Sequence, residues 1–554
     1  MRRVTFRLDG DRLTNSAAPH PRRVTEADFA LFAAWTKDYR AAVQRGDNHD
    51  GPKAIGQKIH EWLDREHRWM AALRQTPGAP VVAEFAVKAP PDGPGRVFLE
   101  VPWELAAGPD DFLAADPAVM WAPLRRIGTP QPPEQPGHDH RLGVMFMAAA
   151  PRGQTALNFE AEEAAILDAT RHAGLDLFVE DTGTLEELRA AWARARTLDA
   201  LHLSCHGGGG ANPVLALEDE TGEQKLATLP DLAGGFAHRP PRLLFLSACH
   251  TGEGAPELDS LALGLVNAGF AAVLGWADAV LDRDASEFAA SFYGEAAQPG
   301  ALVEAAWATA RFNLVGRRPE GRRPAHWHLA RLFLGPAGGG SLNEGDKRRV
   351  AADSDAGRKA MIRARGAAGN QIEVASHGGF VGRRKQIQDI LREFRRPLHA
   401  GVLVHGFGRQ GKSSLAARIM DRLPHLKPVV LFQRCDGPNL LAEIAEQVPP
   451  AGTLCAEYQP QVDPARAGYD PQALYRALRA LLTRPCSGKG DDRPILLVLD
   501  DFEALLDPPE GDGHWQVKPA AEAPLAAIIR AFGAGETECR LLITCRYAFP
   551  FRDR

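Results

Sequence analysis

Long apolar runs are missing from this sequence. No stretch approaches the roughly 18 consecutive apolar residues that indicate a membrane-spanning helix. The N-terminal segment Met1–Asp9 carries three arginines and lacks the apolar core of a secretory signal. The sequence therefore predicts neither a membrane span nor a signal peptide, and we expect no membrane partner.

Cysteine is scarce, and neither sign of charge dominates. The 554 residues include 7 cysteines, an odd number without regular spacing. This usage favours reduced thiols in a cytoplasmic protein over a disulfide framework. The net charge of -5 at pH 7 gives no electrostatic basis for general nucleic-acid binding. The length predicts two to four domains.

Strand-like and helix-like segments alternate through most of the chain. Val81–Val87 and Arg96–Val101 alternate as strands do, and from Arg141 predicted strands and helices follow one another to Leu334. This pattern predicts an α/β fold with a mostly parallel sheet and flanking helices, followed by a second α/β domain. The predicted divisions are a helical and β segment over 1–75, an α/β domain over 76–337, a linker over 338–376 and a second domain over 377–554.

Two apolar segments end in a cysteine and a histidine. Leu243–Cys249 leads toward a glycine-containing turn, and Ala200–His206 leads into Gly207. Open α/β sheets place their sites at the carboxyl ends of strands, so two neighbouring parallel strands would bring His206 and Cys249 together. There an imidazole can activate a thiol as a nucleophile. The amides of Gly207 and Cys249 are candidate oxyanion donors.

These segments resemble the CHAT family of caspase-like cysteine peptidases, relatives of separases and caspases. The residues that carry the resemblance, over roughly 60–337, are His206-Gly207, Ser247–Gly252, Pro102–Leu105, Gly275–Tyr293 and Trp327–Leu334. The resemblance implies a caspase-like sheet in domain 76–337, with Cys249 as nucleophile and His206 as base. It implies a protein substrate and no cofactor at the peptidase site.

The substrate preference and a metal site stay open at this point. Related peptidases that cut after basic residues often carry a pocket carboxylate close before the cysteine, where this sequence has Ser247. The candidates for an S1 pocket acid are Asp278 and Asp282, with Asp284 as a further alternative. His202 and Cys205 are interpreted as core residues, although a zinc site is an alternative that would draw on His202, Cys205, His206, Cys249 and His250.

Residues 401–419 contain a phosphate-binding pattern. The strand-like Gly401–Val404 precedes Gly406–Ser413, which fits G-x₄-G-K-[ST], and helical sequence follows. The amides of such a loop cradle phosphates, the lysine reaches the outer phosphates and the hydroxyl contacts Mg²⁺. The residues predicted to bind ATP or ADP here are Gly406, Gly408, Gly411, Lys412, Ser413 and Ser414.

Three further segments support a nucleotide site. Ile495–Asp501 is a buried strand that ends in two carboxylates, of which Asp500 would hold Mg²⁺ and Asp501 would orient the attacking water. Another strand leads to Arg546, which is placed to sense the γ-phosphate. A cover for the adenine is predicted from Val381, Gly382 and Arg383.

These pieces look like the STAND class of signalling ATPases, relatives of NACHT and NB-ARC proteins, over roughly residues 377–546. Such proteins usually continue into a helical lid, a winged helix and a repeat sensor, whereas this sequence stops at Arg554. We therefore expect either a C-terminally incomplete chain or one whose nucleotide cycle is impaired.

Together, the two halves predict a cysteine endopeptidase regulated by ATP binding. By resemblance it would act in bacterial signalling or defence, in the cytoplasm, with homo-oligomer formation on activation. One alternative is an ATP-dependent switch whose caspase-like half is an interaction module without proteolytic activity. Another is a constitutive peptidase with an inert P-loop half.

Overall fold

The computed structural model divides the chain into two compact units, Met1–Val350 (unit 1) and Ala351–Arg554 (unit 2). The described residues are 1–17, 20–65, 80–132, 139–155, 157–195, 197–208, 213–219, 221–249, 258–316, 326–347, 356–367, 374–375, 380, 382–395, 399–423, 425–489, 492–509, 514–533 and 537–550.

The described strands of unit 1 form one sheet of 13 strands. They are β1 (Arg2–Asp9), β2 (Arg12–Asn15), β3 (Arg22–Arg23), β4 (Val81–Val87), β5 (Ala122–Ile127), β6 (Leu142–Ala148), β7 (Leu175–Glu180), β8 (Ala200–Gly208), β9 (Val214–Glu218), β10 (Gln224–Thr228), β11 (Leu243–Cys249), β12 (Ala272–Trp276) and β13 (Ala330–Leu334). The order is β10-β9-β8-β11-β12-β13-β5-β4-β1-β2-β3, with β6 paired to β7 and β8. Neighbours are parallel at β1–β4, β4–β5, β5–β13, β6–β7, β6–β8, β8–β11 and β11–β12, which confirms the mostly parallel sheet.

Helices flank this sheet. They are α1 (Glu26–Gln44), α2 (Asp50–Asp64), α3 (Gly93–Glu100), α4 (Phe159–Ala169), α5 (Leu185–Arg194), α6 (Leu229–Phe236), α7 (Leu258–Asn267), α8 (Asp282–Ala296) and α9 (Val303–Gly316), with short 3₁₀ turns at Trp103–Leu105 and Leu113–Ala115. One continuous apolar core runs through the unit, from the N-terminal strands to β13. The N-terminal segment is part of this sheet because β1 pairs with β4 in parallel.

The strand predicted over Arg96–Val101 is wrong, because this segment lies mostly in helix α3. The Asp92 side chain caps the helix by accepting a hydrogen bond from the Gly95 amide at 2.8 Å, and a proline occupies the first turn. Phe98 and Leu99 are buried on the core side. A short apolar segment fits both periodicities, and here the N-terminal capping signals decide for the helix.

Unit 2 is a smaller α/β unit whose described strands are β14 (Val402–His405), β15 (Lys427–Phe432), β16 (Ile495–Asp500), β17 (Leu506–Asp507), β18 (Gln516–Val517) and β19 (Arg540–Cys545). Four of them form a parallel sheet in the order β14-β19-β16-β15, and β17 and β18 form a separate hairpin. Its helices are α10 (Ala356–Ala367), α11 (Arg384–Arg395), α12 (Lys412–Arg422), α13 (Gly437–Gln447), α14 (Gly452–Tyr458), α15 (Ala473–Thr483) and α16 (Pro519–Phe532), with 3₁₀ turns at Pro449–Ala451 and Phe502–Leu505. This arrangement matches the predicted second α/β domain.

The range predicted as a linker, 338–376, contains ordered contacts at both of its ends. Arg126 donates to the Gly338 carbonyl at 2.8 Å within unit 1. Helix α10 lies in the second part of the range and shares an apolar core with α12, through Met361 and Ile419, within unit 2. Among the described helices, none has the length and apolar content needed to cross a lipid bilayer.

A buried ion pair links the segment Pro102–Leu105 to the sheet of unit 1. Glu104 is fully buried and accepts a hydrogen bond from Arg125 Nη2 at 3.0 Å, while Arg331 Nε lies 3.9 Å from the carboxylate. Burial by itself would raise the pKa of Glu104, but Arg125, Arg331 and Arg311 outweigh it and hold the pKa below its ordinary value.

We expect Glu104→Ala to destabilise unit 1 by about 3–5 kcal/mol, because it leaves buried arginines without their carboxylate. The matched control is Glu100→Ala, which removes a 3.6 Å pair with Arg40 in which both side chains are 44% exposed. This control should cost about 0–1 kcal/mol. Urea unfolding of the full chain measures both effects, and equal losses in the two variants would contradict the expectation.

Candidate active site and nucleotide site

His206 and Cys249 occupy paired positions on neighbouring parallel strands. The pairing of β8 with β11 runs without an offset from Ala200↔Leu243 to His206↔Cys249. Side chains alternate along a strand, so paired positions of neighbouring strands share a face of the sheet. The Cys249 side chain and residues 250–257 lie outside the described part of the structure. The register of the backbones is therefore what brings the two predicted catalytic residues together.

The His206 ring is buried and held by a backbone carbonyl. Its Nε2 atom lies 2.7 Å from the carbonyl oxygen of Thr155, in the loop between β6 and α4. A carbonyl can only accept a hydrogen bond, so Nε2 carries the proton and Nδ1 is the acceptor atom of the neutral ring. This is the tautomer in which Nδ1 can act as a base.

Gly207 continues strand β8 beyond His206 and pairs with Leu215 of β9. Gly207 comes directly after His206, which is the last residue of β8 that pairs with β11. It is therefore at the carboxyl end of the strand pair, where the sequence predicts an oxyanion donor. That role remains a prediction for both Gly207 and the Cys249 amide.

A cavity lies beside the carboxyl ends of these two strands. Its open space, counted together with the solvent at its mouth, is about 210 Å³. Ser204 and Ser247, two positions before His206 and Cys249 on their strands, line it together with Glu162 of α4. The remaining lining residues are Leu157, Asn158, Phe159, Asp282, Ala285 and Ser286.

Glu162 joins the two strands through its carboxylate. It accepts hydrogen bonds from Ser204 Oγ at 2.8 Å and from Ser247 Oγ at 2.7 Å, and His202 Nε2 lies 3.3 Å away. Burial would raise the pKa of Glu162, but His202 and the two serine hydroxyls outweigh it and hold the pKa below its ordinary value. The carboxylate is therefore ionised at neutral pH inside the cavity wall.

Sequence reasoning missed Glu162 as a site residue. A glutamate in the first turns of a helix has a sufficient local explanation in the helix dipole. Glu162 is distinguished by its tertiary contacts, because β8 and β11 each direct a serine hydroxyl to its carboxylate.

The three candidate pocket acids differ in position. Asp282 lines the cavity, and its carboxylate accepts a hydrogen bond from the Asn158 amide at 3.1 Å. Asp284 is fully buried and pairs with His326 at 2.9 Å. Asp278 accepts from the amide of Ala279 at 2.7 Å and is not part of the described cavity wall.

His202 and Cys205 are core residues, as the sequence predicts. Both are fully buried, and the His202 ring stacks on Phe146 with 4.7 Å between centroids. Burial raises the pKa of the Cys205 thiol to about 12, so it is not a thiolate at neutral pH. Among the described side chains, no group of three or more His, Cys, Asp or Glu could hold a metal ion. The zinc alternative also named Cys249 and His250, whose side chains lie outside the described residues.

In unit 2, the predicted phosphate-binding loop connects β14 to α12. Gly406 and Gly411 have φ values of +154° and +78°, which favour glycine, and Gly411 immediately precedes helix α12. Lys412 Nζ donates to the carbonyl oxygens of Gly406 at 2.9 Å and Phe407 at 3.0 Å, so the ammonium lies over the loop. A glycine loop at a helix N-terminus with a lysine above it fits a phosphate chain.

Ser413 and Asp500 form the oxygen pair expected of a Mg²⁺ site. Ser413 Oγ donates to Asp500 Oδ1 at 2.9 Å, and Asp500 is 1% exposed. Thr544 of β19, which sequence reasoning did not single out, donates to the same Asp500 oxygen at 2.7 Å. A hydroxyl beside a carboxylate is a donor set that suits Mg²⁺.

Asp501 lies beside Asp500, and Arg546 lies beside the phosphate-binding loop. Burial raises the pKa of Asp501, and the neighbouring Asp500 and Glu503 raise it further. Arg546 pairs with Glu503 at 2.8 Å. Its guanidinium also lies beside Gly408, where an added Cβ would meet Arg546 Cζ at 3.3 Å.

The predicted adenine cover is described in part. Gly382 and Arg383 have positive φ angles of 79° and 58°, and Arg383 donates to the Gln410 carbonyl of the loop. Val381 lies outside the described residues. The Ser414 hydroxyl accepts a hydrogen bond from the Ala375 amide at 3.1 Å and so contacts the segment before α11.

Comparison with protein families assigns a known domain to each half of the chain. Residues 90–335 match the CHAT domain, and residues 379–542 match the AAA ATPase domain. A comparison with curated proteins found no match. The AAA ATPase match supports a P-loop ATPase module but not the finer STAND assignment. The chain therefore carries a CHAT domain, of the caspase-like peptidase family, followed by an AAA ATPase domain of the P-loop type.

Proposed function

We propose that this chain is a cysteine endopeptidase whose activity is regulated by nucleotide binding. The observation that carries the peptidase assignment is the unshifted pairing of His206 with Cys249 at the carboxyl ends of β8 and β11. The hydrogen bond from His206 Nε2 to Thr155 supports it, because this bond selects the tautomer that a base requires.

In the proposed reaction, His206 Nδ1 accepts the proton of the Cys249 thiol. The thiolate then attacks the carbonyl carbon of the scissile peptide bond. The amides of Gly207 and Cys249 would stabilise the oxyanion, each by about 3–4 kcal/mol. His206 returns its proton to the leaving amine, and water, activated by the same ring, hydrolyses the resulting thioester.

We further propose that a basic P1 side chain binds at the mouth of the cavity beside this pair. Two residues along a strand span about 7 Å, so the Ser204–Ser247 wall lies within reach of a lysine or arginine side chain whose carbonyl is at Cys249. Glu162 presents an ionised carboxylate in this wall, and the Asp282 side chain lines the same cavity.

In unit 2, we propose that ATP or ADP binds with Mg²⁺. Gly406, Gly408 and Gly411 would present loop amides to the phosphates, and Lys412 would turn from the loop carbonyls to the outer phosphates. When bound, Mg²⁺ supplies positive charge between the phosphates, Ser413 and Asp500. Asp501 is placed to orient a water molecule, and Arg546 to contact the terminal phosphate.

We propose that nucleotide binding switches the peptidase, as in STAND-type signalling proteins. What supports the coupling is that one chain carries both domains. The role would be in bacterial signalling or defence, in the cytoplasm, with a protein substrate and assembly of several copies on activation.

Replacing the nucleophile tests the peptidase assignment. Cys249→Ala and His206→Ala should each lower kcat/KM about 10⁴-fold or more, because they remove the attacking atom or its base. Cleavage of a proteome-derived peptide library by the full chain, with and without ATP, read by mass spectrometry, measures this. The control Cys205→Ala changes a buried cysteine of β8, the strand that carries His206, and should keep activity. A Cys249→Ala chain that retains full cleavage would refute the assignment.

The pocket proposal predicts preferential cleavage after lysine or arginine. Asp282→Asn should lower kcat/KM for basic P1 peptides about tenfold, since one charged partner is lost, and leave other peptides unaffected. Asp278→Asn is the matched control and should behave as the wild type. Fluorogenic peptides that differ at P1 alone measure the ratio. A wild-type preference for apolar or acidic P1 residues would exclude the proposal.

Lys412→Ala should weaken ATP binding about 10- to 100-fold, because the phosphates lose a charged hydrogen-bond donor. It should also abolish any effect of ATP on cleavage. Lys427→Ala is the control, since Lys427 is exposed at the start of β15, at the opposite edge of the sheet from the loop. Calorimetry with ATP and ADP measures binding. If the wild-type chain binds neither nucleotide, the nucleotide site is refuted; an unchanged response to ATP in Lys412→Ala would refute the regulation.

A further inference from the structure

Helix α10 directs an arginine onto the two predicted Mg²⁺ ligands of unit 2. Arg365 Nη2 donates to Asp500 Oδ2 at 2.7 Å and to Ser413 Oγ at 2.5 Å. Its Nε donates to the same Asp500 oxygen at 3.1 Å, and Asp501 lies 3.6 Å from Nη2. The Arg365 side chain is 4% exposed, so this ion pair is shielded from solvent.

The helix that carries Arg365 packs closely on the phosphate-loop helix. An added Cβ at Gly357 would lie 2.2 Å from the Ala417 carbonyl oxygen of α12, so a glycine is required at this approach. The Gly357 amide donates to Asp421 at 2.8 Å, and Met361 is fully buried against α12. The Arg365 guanidinium also lies over the Phe432 ring, 4.8 Å from its centroid. Packing along the helix therefore places the Arg365 side chain beside Ser413 and Asp500.

The guanidinium and a divalent cation need the same oxygens. Mg²⁺ demands short, nearly octahedral bonds to its oxygen ligands, and Ser413 and Asp500 are the protein ligands available to it here. Arg365 forms charge-assisted hydrogen bonds with both of these side chains. Two positive groups cannot occupy this position together, because like charges at contact distance repel strongly in a buried site.

We infer that Arg365 is an internal cation that competes with Mg²⁺ for Ser413 and Asp500, so that binding of a Mg²⁺–nucleotide displaces Arg365 from the site. The inference rests on the proposed nucleotide binding and extends it to regulation. Helix α10 belongs to the stretch of sequence that joins the CHAT domain, ending at 335, to the AAA ATPase domain, starting at 379. Through the displacement of Arg365, nucleotide binding would therefore change the contacts of that connecting stretch.

The test compares Arg365→Gln with Arg363→Gln in the full chain. Arg363 lies on the same helix but pairs with Glu443 and Glu446 on the surface, so its replacement is the matched control. Calorimetry with ATP and ADP, in Mg²⁺ and in EDTA, gives the Mg²⁺-dependent gain in affinity. This gain should increase about tenfold in Arg365→Gln, since Mg²⁺ no longer displaces a charged hydrogen-bond partner. It should be unchanged in Arg363→Gln.

Hydrogen exchange on the wild-type chain provides a second measurement that needs no variant. Amides of residues 356–367 should exchange faster with ATP and Mg²⁺ than with ATP and EDTA. Weaker nucleotide binding in Arg365→Gln would identify Arg365 as a phosphate ligand and overturn the competition. Identical Mg²⁺ dependence in both variants, with unchanged exchange in the wild type, would also overturn it. If no chain binds nucleotide under either condition, the proposed nucleotide function itself has failed.

Discussion

The unshifted pairing of β8 with β11 is the constraint on which the candidate active site depends. Side chains alternate between the two faces of a sheet, so a slip of one residue would move one member of each pair to the opposite face. In the observed register, Ser204 lies beside Ser247 and His206 beside Cys249. Glu162 accepts a hydrogen bond from each serine and so favours this register over a shifted one.

Both sites are organised around a buried carboxylate that is bound by separate elements of the fold. Glu162 is held by groups from β8 and β11, and Asp500 by Ser413 of α12, Thr544 of β19 and Arg365 of α10. Removing a carboxylate from water is costly, so such groups persist when several hydrogen bonds compensate the loss. The same hydrogen bonds orient the groups that donate them, so each carboxylate positions the side chains around it.

Strand order explains why Thr544, which belongs to neither the phosphate loop nor the Asp500 strand, is part of the nucleotide site. In unit 2, β19 lies between β14, which leads into the phosphate loop, and β16, which ends in Asp500. Thr544 at the end of β19 therefore lies close to the Asp500 carboxylate, donates to it, and accepts from the Asp501 amide at 3.0 Å. β19 therefore sets the spacing between the phosphate loop and Asp500, and Thr544 adds a hydrogen bond to the carboxylate.

The sequence alone determined the α/β class, the strands that carry His206 and Cys249, and the phosphate loop, since periodicity and glycine-rich turns are local properties. Capping around Asp92 was local as well, but the alternating pattern of Arg96–Val101 obscured it. Tertiary structure alone decided the roles of Glu162 and Arg365, which lie 42 and 135 residues from their partners Ser204 and Asp500. A charged residue on a helix has an ordinary explanation at the surface, and its function becomes visible when distant strands bring a partner to it.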